Sequence, residues 1–211
     1  TLAWVIGSMA VALAGAAPAG AAVQVGSSGW LWGNPLPQGN TVNALSFAGA
    51  TGYAVGQFGT ILATGDGGST WTGVQSGTFT NLTEVQAIDA NSMFAGGGCV
   101  GRRSDDGGAT GVRVAFTPVE SSCSQDLVAA WWVSEVTGYI VLEDGTTLRT
   151  DNNGDTFAQK VAVPGTKATG GGAKVNDIRF LDANTGLATT DGGKIYRTTD
   201  AANSWTEVDS N

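Results

Sequence analysis

The sequence predicts an all-β chain made of about four copies of a four-stranded antiparallel unit, and three observations carry that prediction. A short pattern centred on Asp or Asn occurs four times, and runs of β-favouring residues recur at matching offsets around each copy. No stretch within residues 23–211 has the length and 3.6-residue apolar period of an amphipathic helix. The 33 glycines suit tight turns better than helices. Seven Trp and a charged fraction of only 13% set the chain apart from a disordered one.

The pattern places Thr64, Asp66, Gly68, Thr70 and Trp71 in its first copy and Ser104, Asp106, Gly108, Thr110 and Gly111 in its second. The third copy has Thr150, Asn152, Gly154, Thr156 and Phe157, and the fourth has Thr198, Asp200, Ala202, Ser204 and Trp205. The central residues fall at 66, 106, 152 and 200, so the intervals are 40, 46 and 48 residues, the length of one supersecondary unit in a stacked array. Each position has a physical role. A short acid or amide next to hydroxyls accepts hydrogen bonds from its own turn, the Gly takes a backbone conformation that Cβ forbids, and the aromatic buries a large face as the next strand starts.

The segments between the copies read as strands. First strands are expected at Val42 to Phe47, Asp126 to Val133 and Val175 to Phe180, where apolar residues alternate. Second strands follow Thr-Gly pairs, at Gly52 to Val55, Gly138 to Leu142 and Gly186 to Thr189. Third strands are Thr60 to Thr64, Thr146 to Thr150 and Lys194 to Thr198, the last two carrying Arg149 and Arg197 at equivalent, outward-facing places. Fourth strands are Trp71 to Val74, Val112 to Phe116, Phe157 to Val163 and Trp205 to Val208. A four-stranded meander repeated at this spacing is a β-propeller blade. Blades are expected at about 40–77, 79–123, 124–166 and 170–211, preceded by an extra outer strand at 29–37 around Trp30 and Trp32. Four blades with an orphan strand read as part of a longer ring.

The repeated pattern resembles the Asp-box, or BNR repeat, of consensus Ser/Thr-x-Asp-x-Gly-x-Thr-Trp. Copy one matches fully, copy two loses the aromatic at Gly111, copy three exchanges Asp for Asn152 and Trp for Phe157, and copy four exchanges Gly for Ala202. The longer register from Trp30 to Asn40 into Leu45, Phe47, Thr51 to Val55 and Gly59 to Leu62 is similar to that of exported photosystem II assembly and stability factors, over nearly all of residues 28–211. That resemblance implies a non-catalytic platform that binds other proteins, as sortilin-type receptors do. Sialidases and xyloglucanase-like hydrolases share the box, so the resemblance also implies an alternative: a fragment of a secreted glycoside hydrolase.

The residues themselves give little chemistry to an enzyme. The arginine cluster, Tyr–Glu pair and Asp acid of a sialidase are not apparent. Tyr53, Tyr139 and Tyr196 fall in strands, and Glu84, Asp126, Glu135 and Asp177, near first strands, read as solvated acids unless two of them pair across blades. No metal and no cofactor are expected. Asp151, Asn153 and Asp155 have part of a calcium loop's spacing, but Ala162 stands where its distal Glu belongs. Gly96–Gly98 and Gly170–Gly172 precede no helix and read as loops.

Charge and the N-terminus bound the setting. A net charge of −8 excludes a nucleic-acid partner, and the adjacent Arg102 and Arg103 are offset by Asp105 and Asp106. Residues 1–22, uncharged and Ala-rich, read as a secretory signal with Ala19 to Ala21 as its cleavage site, leaving no membrane span, and the rival is an N-terminal anchor. A secreted or cell-surface location follows. In an oxidising setting Cys99 and Cys123, placed at the same end of one meander, are expected to form a disulfide. The expected partner is a protein or glycan, met by loops opposite the boxes: Gln57, Phe58, Asn81, Cys123 to Gln125, Thr166 to Gly172 and Asp191.

Overall fold

The computed structural model describes residues 39–110, 112–116 and 125–208. The expected signal segment 1–22, the extra strand 29–37, Gly111 and Cys123 lie outside the described residues. Sixteen strands form four separate four-stranded antiparallel sheets, each in simple chain order. Sheet one holds β1 (Val42–Ala48), β2 (Thr51–Gly56), β3 (Ile61–Thr64) and β4 (Thr72–Val74). Sheet two holds β5 (Glu84–Ala87), β6 (Met93–Gly97), β7 (Val100–Ser104) and β8 (Arg113–Phe116). Sheet three holds β9 (Leu127–Trp132), β10 (Gly138–Leu142), β11 (Thr147–Thr150) and β12 (Ala158–Gln159). Sheet four holds β13 (Val175–Phe180), β14 (Gly186–Thr190), β15 (Ile195–Thr198) and β16 (Thr206–Val208). The architecture is blade-like.

Strand ends match the sequence expectation within a residue or two except for β12, where the run Phe157 to Val163 keeps only two residues in the sheet. The reason is competition from the next sheet. Lys160 N still donates to Thr147 O at 2.8 Å, but Val161 N turns to Ala202 O of sheet four at 3.0 Å and Val163 N to Gly145 O at 3.1 Å. Pro164 then cannot donate to any ladder.

The Thr-Gly pairs have a packing cause. In sheets one, three and four the last large side chain of the first strand lies over a glycine directly opposite on the second: Phe47 on Gly52, Trp132 on Gly138, Phe180 on Gly186. A Cβ at Gly138 would stand 2.5 Å from the Trp132 ring, and one at Gly186 2.6 Å from Phe180. Sheet two reverses the sizes, pairing Ala87 with the fully buried Met93. Total volume at the site is thereby kept.

Successive sheets meet along their first strands, β1 with β5, β5 with β9 and β9 with β13. Polar side chains there bond to the next sheet's backbone. Ser46 Oγ accepts from Ala87 N at 3.0 Å, Gln86 both donates to Trp132 O at 2.8 Å and accepts from Trp132 N at 2.7 Å, and Trp131 Nε1 donates to Phe180 O at 2.8 Å. Between these ties lie three apolar layers. Tyr53, Val55 and Ile61 pack with Leu82, Met93 and Ala95. Phe94 packs with Leu127, Ala130, Trp132 and Ile140. Tyr139 stacks flat on Phe180, centroids 3.6 Å apart, among Val141, Ile178 and Ala188.

Gly138→Ala is expected to lower unfolding stability by about 1–3 kcal/mol through overpacking against Trp132. Gly65→Ala, where a Cβ meets nothing within 4 Å, serves as the control. Urea unfolding of both variants checks this: equal midpoints would remove the role given to the glycine seat.

Candidate functional site

At one end of the sheets the four box turns close on themselves. Thr64 Oγ1 donates to Asp66 Oδ1 at 2.7 Å while accepting from Gly68 N at 3.0 Å, and Asp66 accepts from Thr70 N at 2.9 Å and from the Thr70 hydroxyl at 2.6 Å. Ser104, Asp106, Gly108 and Thr110 repeat these bonds. So do Thr198, Asp200, Ala202 and Ser204. In the third copy the amide reverses one bond: Asn152 Oδ1 accepts from Thr150 Oγ1 and Thr156 N, but its Nδ2 donates to Thr156 Oγ1 at 2.8 Å. Ala202 adopts φ 61°, the left-handed conformation that Gly68, Gly108 and Gly154 take elsewhere. Each turn is also tied to the neighbouring first-to-second strand turn, by Gly67 N to Ala50 O, Gly107 N to Asn91 O, Asn153 N to Val136 O and Ala201 N to Asn184 O. Both carboxyl oxygens of each of the three box acids accept hydrogen bonds from groups of their own turn.

The aromatics that close the boxes divide. Trp71 donates its Nε1 to Gly68 O within its own turn at 3.0 Å, whereas Trp205 donates to Val161 O in sheet three, also at 3.0 Å. Phe157 packs into the layer between sheets two and three.

The opposite end, where second-to-third strand loops and inter-sheet loops lie, carries the candidate site. Phe58, at the tip of the 3-10 turn Gln57–Gly59, has φ 54° and ψ 35°. A bulky residue in the left-handed region is strained and persists only where its surroundings fix it. They do. Phe58 N donates to Asn81 Oδ1 at 3.1 Å, Gln57 N to Thr41 O at 2.9 Å, and Gln57 O accepts from Thr60 N at 3.1 Å. The strained turn leaves the Phe58 ring 64% exposed, and Phe79 in the loop toward sheet two is 89% exposed. Sequence reasoning brought Gln57, Phe58 and Asn81 together and missed Phe79, whose only signal was an aromatic within a run of Gly, Ser and Thr. Asp191 sits apart, in the β14–β15 turn of sheet four, and accepts from Lys174 N at 2.8 Å in the segment that leads into β13. Thr166 is not part of an open surface: it is fully buried and donates to Val163 O at 2.6 Å. Cys99, at the β6–β7 turn, has its Sγ 3.7 Å from Gln125 O, and its expected partner Cys123 falls outside the described residues.

Ionisable groups at three places have surroundings that the sequence did not show. Glu84, at the start of β5, is half-buried rather than solvated. Burial, with the Asp177 charge adding to it and Arg179 opposing, pushes its carboxyl up to about 7. Asp177 itself is paired to Arg179 at 2.8 Å, and Arg179 lies over the Trp131 ring at 4.6 Å. The pair Arg102 and Arg103, expected only to be offset by Asp105 and Asp106, is buried. Arg102 Nε donates to Ser76 O at 2.9 Å, and Arg103 pairs with Asp105 at 2.9 Å, lies 4.3 Å over Trp132 and donates to Glu135 O. Arg149, expected outward, reaches across to Ala183 O at 3.3 Å. Among the described residues there is no group of three or more His, Cys, Asp or Glu that could hold a metal ion, and no helix long and apolar enough to cross a membrane.

No protein-family model matches the chain, and no curated protein does. Solved structures do. An ancestral GH74 enzyme is 11% identical with a TM-score of 0.62, covering 82% of this chain and 24% of its own. The GH74 xyloglucanase of Xanthomonas campestris is 16% identical with a TM-score of 0.58, over 82% and 31%. YCF48 bound to D1 peptide is 21% identical over 82% and 40%, with a TM-score of 0.41. The GH74 likenesses show a shared all-β fold, and this chain spans well under half of each of the three proteins.

Hydroxyl and amide donors hold the Asp66 and Asp106 carboxyls at about 2, and Ser204 leads the lowering at Asp200. Depressed folded values mean that their stabilisation is full above the unfolded value near 4 and is lost as pH falls toward 2. Glu84 has the opposite sign, since a raised folded value costs stability as pH rises from about 4.5 to about 7. The expected result is that Asp66→Asn, which copies the Asn152 turn, stays folded at pH 7 and shows a shallower fall in thermal midpoint between pH 4 and 2. A slope identical to the parent's would contradict the role of Asp66.

Proposed function

We propose that the four sheets are blades of a secreted β-propeller of glycoside-hydrolase kind, and that the loop end opposite the boxes grips a glycan. One observation carries this reading: a strained, hydrogen-bonded turn that holds the bare Phe58 ring in solvent. Strain of this sort collects where a side chain must be presented. An aromatic face offers a flat apolar surface to the C–H face of a sugar ring, and Phe79 in the adjoining loop supplies a second one. The xyloglucanase among the similar structures supplies the candidate substrate, xyloglucan. Glu84 adds a half-buried carboxyl pushed up to about 7, the protonated state a general acid needs at a glycosidic oxygen, and Asp177 is the acid that acts on it.

A protein-binding platform is the second reading. The same exposed aromatic pair would seat apolar side chains of a peptide, and the box turns contribute no reacting group. In either reading the chain is exported, residues 1–22 are removed, and Cys99 and Cys123 are bridged. Closing that loop would stabilise by about 3 kcal/mol in the chain-entropy picture.

Affinity electrophoresis in gels containing soluble xyloglucan is expected to retard the protein. Each ring contributes roughly 0.5–1.5 kcal/mol, so Phe58→Ala with Phe79→Ala should weaken retention about tenfold. Loss of reducing-sugar release in Glu84→Gln with retention unchanged would assign that carboxyl to catalysis, whereas no retardation of the parent protein by any polysaccharide would overturn the glycan reading. Thiol titration of the denatured, unreduced protein is expected to find no free sulfhydryl, and finding two would remove the bridge.

A further inference from the structure

The three junctions between successive sheets share one anatomy with two unlike halves. The leading half projects a residue of the second strand toward the following sheet: Tyr53, Phe94 and Tyr139. At the second and third junctions an arginine of the third strand crosses as well, Arg103 to Glu135 O at 2.7 Å and Arg149 to Ala183 O at 3.3 Å. The receiving half offers the carbonyl of its first-to-second strand turn, the first-strand side chain seated on the second strand, and an apolar neighbour two residues earlier, as Ala183, Phe180 and Ile178 do in sheet four.

Sheet four also carries a leading half, and among the described residues nothing packs over it. The ladder registers place Leu187 at the position of Tyr139 and Arg197 at that of Arg149, each pair directly opposed across its sheet. Ile195 and Val208 stand where Ile61 and Val74 stand in sheet one. Tyr139 is fully buried but Leu187 is 38% exposed, as are Ile195 and Val208 to a similar degree. Arg197 is exposed and makes no hydrogen bond or ion pair with the described residues. Sheet one carries the matching receiving half. Phe47 lies on Gly52 as Phe180 lies on Gly186, Leu45 holds the place of Ile178, and exposed Gly49 holds the place of Ala183. Leu45 is 64% exposed where Ile178 is 1%.

We propose that a second copy of this chain covers both faces, sheet four of each copy stacking on sheet one of the other. The occupant is argued from the repeat itself: the two uncovered faces are the complementary halves of a junction that recurs three times within the chain. Leu187 would rest on the second copy's Phe47, and Arg197 would donate to the second copy's Gly49 carbonyl. Two such junctions related by a twofold axis close a ring, so the contact ends at a dimer instead of growing into a fibre. Four sheets from each copy fall within the roughly 4–8 blades such rings contain.

Sedimentation equilibrium of the purified chain is expected to give twice the monomer mass. Leu45→Asp and Leu187→Asp, each with an unchanged far-ultraviolet circular dichroism spectrum, should each sediment as monomers, and Arg197→Ala should weaken association. Mixing Leu45→Asp with Leu187→Asp is expected to restore dimers, because a mixed pair has one junction with both faces native. A monomeric parent would overturn the proposal. So would a dimer that survives both aspartates, a mixture that stays monomeric, or a monomer in which other parts of its own chain shield Leu45 and Leu187 from covalent labelling.

Discussion

Everything in this molecule rests on seating a large first-strand side chain against bare backbone on the neighbouring strand. Sixteen strands of two to seven residues are individually too short to be stable, and a four-stranded sheet with two open faces gains little until those faces are covered. Phe47 on Gly52, Trp132 on Gly138 and Phe180 on Gly186 share this seat, and the last two are also covered by the preceding sheet. Trp132 meets Phe94 and Arg103 of sheet two, and Phe180 meets Tyr139 of sheet three, so each ring belongs to two sheets at once. Sheet two shows that the constraint is volume and not residue type, since Met93 opposite Ala87 fills the same space from the other strand.

The box turns act in series with that packing. They fix the third-to-fourth strand hairpins with bonds internal to the turn, and their backbone donors tie them to the adjacent first-to-second strand turns. That end of the sheets is thereby used up mechanically. The opposite end is free to vary, and there the chain tolerates a strained Phe58, exposes Phe79 and half-buries Glu84. The two ends of the sheets thus differ, one fastened by turn-internal bonds and the other carrying exposed aromatics on its loops.

Two arginines, Arg103 buried and Arg149 half-buried, give the array its direction. Arg103 and Arg149 reach from one sheet to a turn carbonyl in the following one, with Asp105 and Asp151 balancing their charge. The second and third junctions therefore have a donor side and an acceptor side, and stacking in the reverse sense would leave a guanidinium without its acceptor.

The four-unit repeat, the strand order and the box bonds were legible in the sequence, because they depend on residues close in the chain: Thr64 with Asp66 and Thr70, or Gly138 just after Thr137. What only the tertiary structure decided was everything requiring two sheets. Arg102 and Arg103 read as a basic pair offset by two adjacent acids, and packing against Trp132 and the loop at Ser76 buries both. Glu84 read as a solvated acid, yet packing half-buries its carboxyl and the Asp177 charge of β13 adds to the effect. The fourth strand of sheet three looked seven residues long until Ala202 drew Val161 away. Periodicity reports what a residue does for its own hairpin, whereas desolvation and long-range hydrogen bonding depend on neighbours some 25 to 50 or more positions away, which no local pattern encodes.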